Sequence, residues 1–204
     1  MIFMIVLDIE TTGLDPGLHS IIEVGAIDFD CPGNYFNERC QIWEGAEIDF
    51  KALEINGLTL DEIQDPTILT QRELISRFMS WTAPIEDKTI AGQNVDFDIN
   101  FLNESSGRCG LNFSLGKRKV DLHSIVYAHF LKRNIRPPLK DGFSNLNSDF
   151  IMNYVGLPSE PKPHRAINGA RFEAEALSRL IFGRVMFDEF SEYEIPDYCK
   201  SQIH

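Results

Sequence analysis

Met1-Ile2-Phe3-Met4-Ile5-Val6-Leu7-Asp8-Ile9-Glu10-Thr11-Thr12-Gly13-Leu14 opens the chain. Residues 1–7 form a continuous apolar run that stops at Asp8, the pattern of a central strand buried on both faces. Asp8-Ile9-Glu10 follows directly. In extended chain, residues two apart point the same way, so Asp8 and Glu10 place two carboxylates side by side. Anions that close repel unless a cation lies between them. Hard oxygen ligands suit magnesium or manganese. The plain alternative is a strand end whose acids meet solvent or cap a turn.

Working outward, Asp15-Pro16-Gly17 marks a turn. Residues 21–29 and 36–43 read as strands joined through Pro32-Gly33-Asn34, which predicts an antiparallel start. Helical periods then take over. A short capped helix is expected at 59–62, ended by Asp65-Pro66, and an amphipathic one over 69–81. Residues 89–91 predict a short strand, and 96–109 a helix closed by Gly110 with Phe97, Phe101 and Leu102 inward. A strand at 119–122 leads into a helix over 124–133, and Pro137-Pro138 breaks the chain. Helices over 145–155 and 167–182 stop at Gly156 and Gly183. These elements predict an α/β protein with a mixed central sheet and helices on both sides. Sites in such sheets gather at strand ends.

The 204 residues, 43% hydrophobic and 25% charged, suit one domain over 1–187. The acidic, aromatic tail over 188–204 is expected to pack on the surface. The apolar opening is far short of the roughly 20 residues of a membrane span, and no basic start or cleavage site marks a secretory signal. A cytoplasmic protein with no membrane partner is expected. Cys31, Cys40, Cys109 and Cys199 are scattered and read as free thiols. The net charge of −12, from 31 acids against 19 bases, argues against a broad grip on duplex DNA. Lys117-Arg118-Lys119 and Lys132-Arg133 with Arg136 and Lys140 are the basic clusters, open to a strand's phosphates or simply solvated.

Two further segments carry chemistry. Gln93-Asn94-Val95-Asp96-Phe97-Asp98-Ile99-Asn100-Phe101-Leu102 feeds a strand into a helix, with Asp98 able to face a site at the helix start. Asp96 and Asp98 are equally consistent with first-turn acids favoured by the helix dipole. Pro161-Lys162-Pro163-His164-Arg165-Ala166-Ile167-Asn168-Gly169-Ala170 runs from a loop into the last helix. A histidine there can take a proton from water near neutral pH.

In this order and spacing, the three segments resemble the DEDDh family of 3′–5′ exonucleases, the DnaQ-like or RNase T-like group. The likeness covers nearly the whole chain and implies a ribonuclease H-like fold with a five-stranded sheet. It implies that Asp8, Glu10 and Asp98 bind two divalent cations, Mg or Mn, and that His164 is the general base. Thr11, Thr12, Gly13 and Leu14 would bind the terminal nucleotide, with Asn94 and Phe101 shaping the pocket. Residues 52–66 resemble the segment that the family places beside the substrate end. The implied partner is the 3′ end of single-stranded DNA or RNA; protein partners are not readable.

One position departs. The family's third motif is His-x-Ala-x-x-Asp, whose final Asp is a metal ligand. His164 and Ala166 fit it, but Gly169 stands at the Asp position. Glu173 lies one turn further along the same helix, and helical side chains lean toward the N-terminus. Glu173 is therefore expected to reach into the space left by Gly169 and replace the missing carboxylate. The alternative makes Glu173 an exposed helix acid like Glu175, and the chain a nucleic-acid-binding module with impaired catalysis. A nucleotide hydrolase acting on small molecules is a third reading.

Overall fold

The computed structural model describes residues 4–200. Residues 1–3 of the apolar opening and 201–204 of the tail lie outside the described residues. The main sheet is built from β1 (Ile5–Thr11), β2 (Ile21–Asp28), β3 (Tyr35–Arg39), β4 (Ile90–Gly92) and β5 (Lys119–Asp121), in the order β3-β2-β1-β4-β5. The first three pair antiparallel, and β4 and β5 add in parallel. This is the mixed five-stranded sheet that the sequence implied.

β1 is central, and every residue in it except Asp8 is buried. The strand runs on through Thr11, so Asp8 and Glu10 lie within it, paired with Gly25 and Glu23 of β2, rather than after it. Alternation sorts its side chains. Ile5, Leu7 and Ile9 enter one core with Leu74, Phe78 and Leu102, while Val6 enters the other with Ala170 and Leu177. Asp8 and Glu10 continue the second row, so the apolar face of the strand turns acidic at its end.

On the first side lie α3 (Gln71–Thr82), started by a Thr70–Glu73 capping box, and α4 (Asp96–Arg108). On the second lie α5 (Leu122–Lys132), α6 (Ser148–Tyr154) and α7 (Ala166–Phe182). α1 (Phe50–Asn56) and α2 (Leu60–Ile63) pack against Ile22 as a small third cluster. Short elements not expected from the sequence are α1, a hairpin of β6 (Leu139–Lys140) and β7 (Phe143–Ser144), and a 3-10 turn at Asp188–Phe190. All are too short to show a period. β3 ends earlier than expected because Gln41 and Ile42 turn their N–H groups to the carbonyls of Leu69 and Ile63.

The α7 N-terminus is laid directly on the sheet. A β-carbon at Gly25 would collide with the Ala166 backbone, and Ala166 N–H donates to Glu23 Oε1 at 3.0 Å. Only glycine in β2 lets the helix come this close.

The tail does not stay on the surface. Phe187, Phe190 and Cys199 are buried, and the Phe172 and Phe190 rings meet edge to face at 4.8 Å. Arg179 in α7 is fully buried and donates to Glu175 Oε1 at 2.7 Å and to the carbonyls of Val155, Phe190 and Tyr193 at 3.0–3.1 Å. Glu175, expected to be exposed, is equally buried, and its Oε2 accepts the N–H groups of Met186 and Phe187. Polar groups buried under the tail are thus matched with partners. Of the basic clusters, Lys119 pairs with Asp96, and Arg133 lies 3.9 Å over the Tyr198 ring. No described helix is long and apolar enough to cross a membrane.

Candidate active site

Carboxylates from three elements meet at the end of β1. Asp98, 4% exposed in the first turn of α4, accepts the Ile9 N–H at 3.1 Å and so is tied to the strand between Asp8 and Glu10. Glu173, 6% exposed on α7, reaches the end of β4, where its Oε2 lies 3.1 Å from the position of a β-carbon at Gly92. That oxygen is buried and has no hydrogen-bond partner. The space beside Gly169 is filled differently from expectation. A β-carbon there would overlap Asp8 Oδ2, so Asp8 and not Glu173 occupies it. Glu173 is buried among the acids instead of facing solvent.

The electrostatics follow from this crowding. Burial raises the Asp8 carboxyl well above its ordinary value, and Glu173, Asp98 and Glu10 push it further. Glu173 is raised by burial and then by Asp98, with the Gln93 backbone N–H opposing. Asp98 is raised by burial, against the relief of backbone N–H groups including that of Ile9. Glu10 rises to about 8 through burial and then Glu160 and Glu23, with Arg165 opposing. Negative charge is in excess here.

A cavity of about 240 Å³ opens on this cluster, lined by Asp8, Glu10, Glu160, His164, Gly169 and Glu173. Ile9, Gln93, Ser148, Met152 and Phe172 complete its wall. His164 is held from outside by α1, its N–H donating to Ile55 O at 3.1 Å, and its ring is one-third exposed. Sequence reasoning missed Glu160, which sits in an aperiodic loop with no spacing to mark it. Its only signal is a position four residues before His164. A larger groove of about 540 Å³, lined by Arg39, Arg77 and Arg165, does not contain the carboxylate cluster.

The expected nucleotide-binding residues do not line the cavity. Thr11 and Thr12 are buried, their hydroxyls donating to the carbonyls of Gly13 and Glu47 at 2.7 Å. The His19 ring covers Gly13, whereas Leu14 is 80% exposed. Asn94 is exposed at a positive φ of 55°. Phe101 is not at the site at all. It is fully buried in the core with Leu7, Leu74 and Leu102, 4.8 Å from the Phe97 ring.

Among the described residues, no three His, Cys, Asp or Glu side chains are already closed around one ion position. The donor set still fits a divalent cation. All its donors are hard oxygens, their charge is uncompensated, and the buried Glu173 Oε2 has no proton donor.

A profile of the exonuclease family, RNase T, matches residues 5–177. The chain belongs to this exonuclease family. Membership places it among nucleases. It is 35% identical over 178 residues to the PolC-type DNA polymerase III of Thermotoga maritima, covering 87% of this chain and 12% of that one. It is 29% identical over 188 residues to the DNA polymerase III epsilon subunit of Rickettsia typhi, covering 88% and 74%. The chain therefore spans about an eighth of the polymerase and three-quarters of the epsilon subunit. Among solved structures, the nuclease domain of 3′hExo, a DEDDh family member bound to rAMP, superposes with a TM-score of 0.68 at 15% identity over 96% of both chains. Exonuclease I of E. coli with a dT13 oligonucleotide gives 0.69 at 18% identity, over 86% of this chain and 40% of that one. Both share the exonuclease fold, and the ribonuclease H-like α/β architecture expected from sequence is the one found.

Proposed function

We propose that this chain hydrolyses the 3′-terminal phosphodiester of single-stranded DNA or RNA, releasing nucleotides one at a time with divalent-ion help. The observation that carries the reading is Glu173, whose buried Oε2 has no hydrogen-bond partner, crowded by Asp8 and Asp98 and lining with Asp8 and Glu10 a cavity that also holds His164. Asp8, Glu10, Asp98 and Glu173 would hold two cations, Mg²⁺ or Mn²⁺, with Glu173 supplying the carboxylate that Gly169 lacks. Bound there, such ions supply an activated water and charge stabilisation for the departing 3′ oxygen.

His164 accepts the proton that the attacking water loses, on a ring nitrogen. Leu14 offers an exposed apolar surface to the terminal base, and the Thr12-Gly13 backbone is held in place for it by Glu47 and His19. Asn94, exposed just before α4, would touch the strand from that side. The net charge of −12 favours short or frayed ends over a long duplex grip. Relatives named as DNA polymerase III proteins and a neighbour solved with dT13 support DNA, whereas the neighbour bound to rAMP supports RNA.

Gly169 and the unclosed ligand set favour one rival, an end-binding module without turnover. Single-stranded DNA and RNA labelled at the 5′ end, incubated with Mn²⁺, separate the two. A ladder shortening from the 3′ end is expected. Tight end binding with no shortening in either nucleic acid would leave the module.

A further inference from the structure

Glu160 is a cavity carboxylate that lies outside every motif on which the family resemblance rests. Its side chain is 15% exposed, and it lies in the loop that delivers His164 to the site. Its Oε2 is 3.9 Å from His164 Nδ1, while its Oε1 is buried and has no hydrogen-bond partner. The other donor it faces is the Arg165 backbone N–H. An acid buried for structure alone would be surrounded by donors, as Glu175 is by Arg179, Met186 and Phe187. Glu160 instead shares the cavity wall with the His164 imidazole and with Glu10, whose carboxyl it pushes up.

We propose that Glu160 is the positioning residue for His164. Its Oε2 accepts Nδ1–H and holds the neutral ring in the tautomer that leaves the Nε2 lone pair free for the water's proton. A neutral imidazole has one N–H, and the bond made by one nitrogen decides which nitrogen is left as the base. A carboxylate on Nδ1 also opposes the positive charge that the ring gains when Nε2 takes the proton. At 3.9 Å the two atoms stand just outside hydrogen-bond range, and a small rotation of either side chain closes the gap without substrate. The His164 backbone, held by Ile55 O, leaves the ring's torsions as the freedom that Glu160 must restrict.

The inference rests on His164 being the proton acceptor, and its test is chosen to be read without turnover. ¹⁵N shifts of the histidine-labelled 204-residue chain, recorded without metal or nucleic acid where the ring is neutral, report the tautomer directly. His164 is expected to be mainly Nδ1–H in the parent and to move toward Nε2–H in Glu160→Ala. Glu160→Gln, whose amide oxygen can still accept the N–H, restores the parent pattern. In the cleavage assay Glu160→Ala should lose roughly 10²-fold in kcat with KM little changed, and Glu160→Gln should recover part of it. A parent ring already in the Nε2–H form, or one unmoved by Glu160→Ala, overturns the proposal. Weakened Mn²⁺ binding with an unmoved tautomer also overturns it and makes Glu160 a metal ligand. If the parent cleaves nothing, the exonuclease reading fails, and the tautomer still decides the Glu160–His164 pair.

Discussion

Asp8 Oδ2 occupies the volume that a β-carbon on Gly169 would need. The helix position where the family places its last aspartate is thus packed against the first carboxylate of the site. Gly169→Ala is expected to leave the fold intact, because the displaced atom is the end of a side chain rather than backbone. It swings Asp8 out of place and weakens Mn²⁺ binding, measured by calorimetry. Gly169→Asp meets the same obstacle with an added charge, so it is not expected to raise activity above the parent. A Gly169→Asp variant more active than the parent would show that the site tolerates the family arrangement unchanged.

Glu173 can be tested in two directions. Glu173→Gln removes a ligand and is expected to abolish Mn²⁺-dependent cleavage. The same change relieves the crowding of Glu173 against Asp8 and Asp98, where its Oε2 has no hydrogen-bond partner, so the metal-free protein should melt higher than the parent. Cleavage at the parent rate would refute the replacement of the missing aspartate by Glu173. A lower melting temperature without metal would show that its carboxylate is satisfied in some other way.

The cluster also fixes the sign of a pH effect. Glu10 lies at about 8 in the fold against 4.5 in the free side chain, and Asp8, Asp98 and Glu173 are raised as well. A carboxyl raised by folding contributes stability that is fully present below its unfolded pKa and is lost as pH rises through the folded one. The metal-free melting temperature should therefore fall between about pH 5 and pH 8. Divalent ions compete with those protons, so added Mn²⁺ should stabilise far more at pH 8 than at pH 5.5. Thermal melts with and without Mn²⁺ check this, and a stabilisation equal at both pH values would contradict it.

How much of this was legible follows the physics of each signal. The apolar run before Asp8 and the two-residue spacing to Glu10 carried the central strand and its acidic end, because alternation in a strand is strict. The α7 helix and Glu173 were legible through the four-residue spacing from Gly169. Which carboxylate fills the space at 169 was not, since that depends on α7 settling onto β2 at Gly25, the residue paired with Asp8 of β1. Apolar spacing turns Phe101 inward, as found; its expected place at the pocket rests on the family resemblance alone, and the ring lies in the core instead. Glu160 has no period to betray it. The tail was read as surface because its anchor is the fully buried side chain of Arg179, a residue type whose burial composition never suggests.

That anchor supplies the last prediction. Arg179 gives its protons to Glu175 and to the carbonyls of Val155, Phe190 and Tyr193, so the tail from residue 188 completes the shell of a buried ion pair. Ending the chain at 187 removes two of those acceptors and uncovers Phe172, so it should yield insoluble or strongly destabilised protein rather than a free-standing domain. Breaking the pair from one side, as in Glu175→Gln or Arg179→Met, leaves an uncompensated buried group at a cost of about 3–5 kcal/mol. At about 2–4 °C per kcal/mol for a chain of this size, that is a fall of roughly 10 °C in melting temperature. Replacing both partners with apolar residues of similar volume should recover most of it, because no charge is then stranded. A double variant as unstable as the sum of its singles would mean that the pair contributes through its links to the tail carbonyls. A soluble, cooperatively melting chain of residues 1–187 would mean that the tail is dispensable after all.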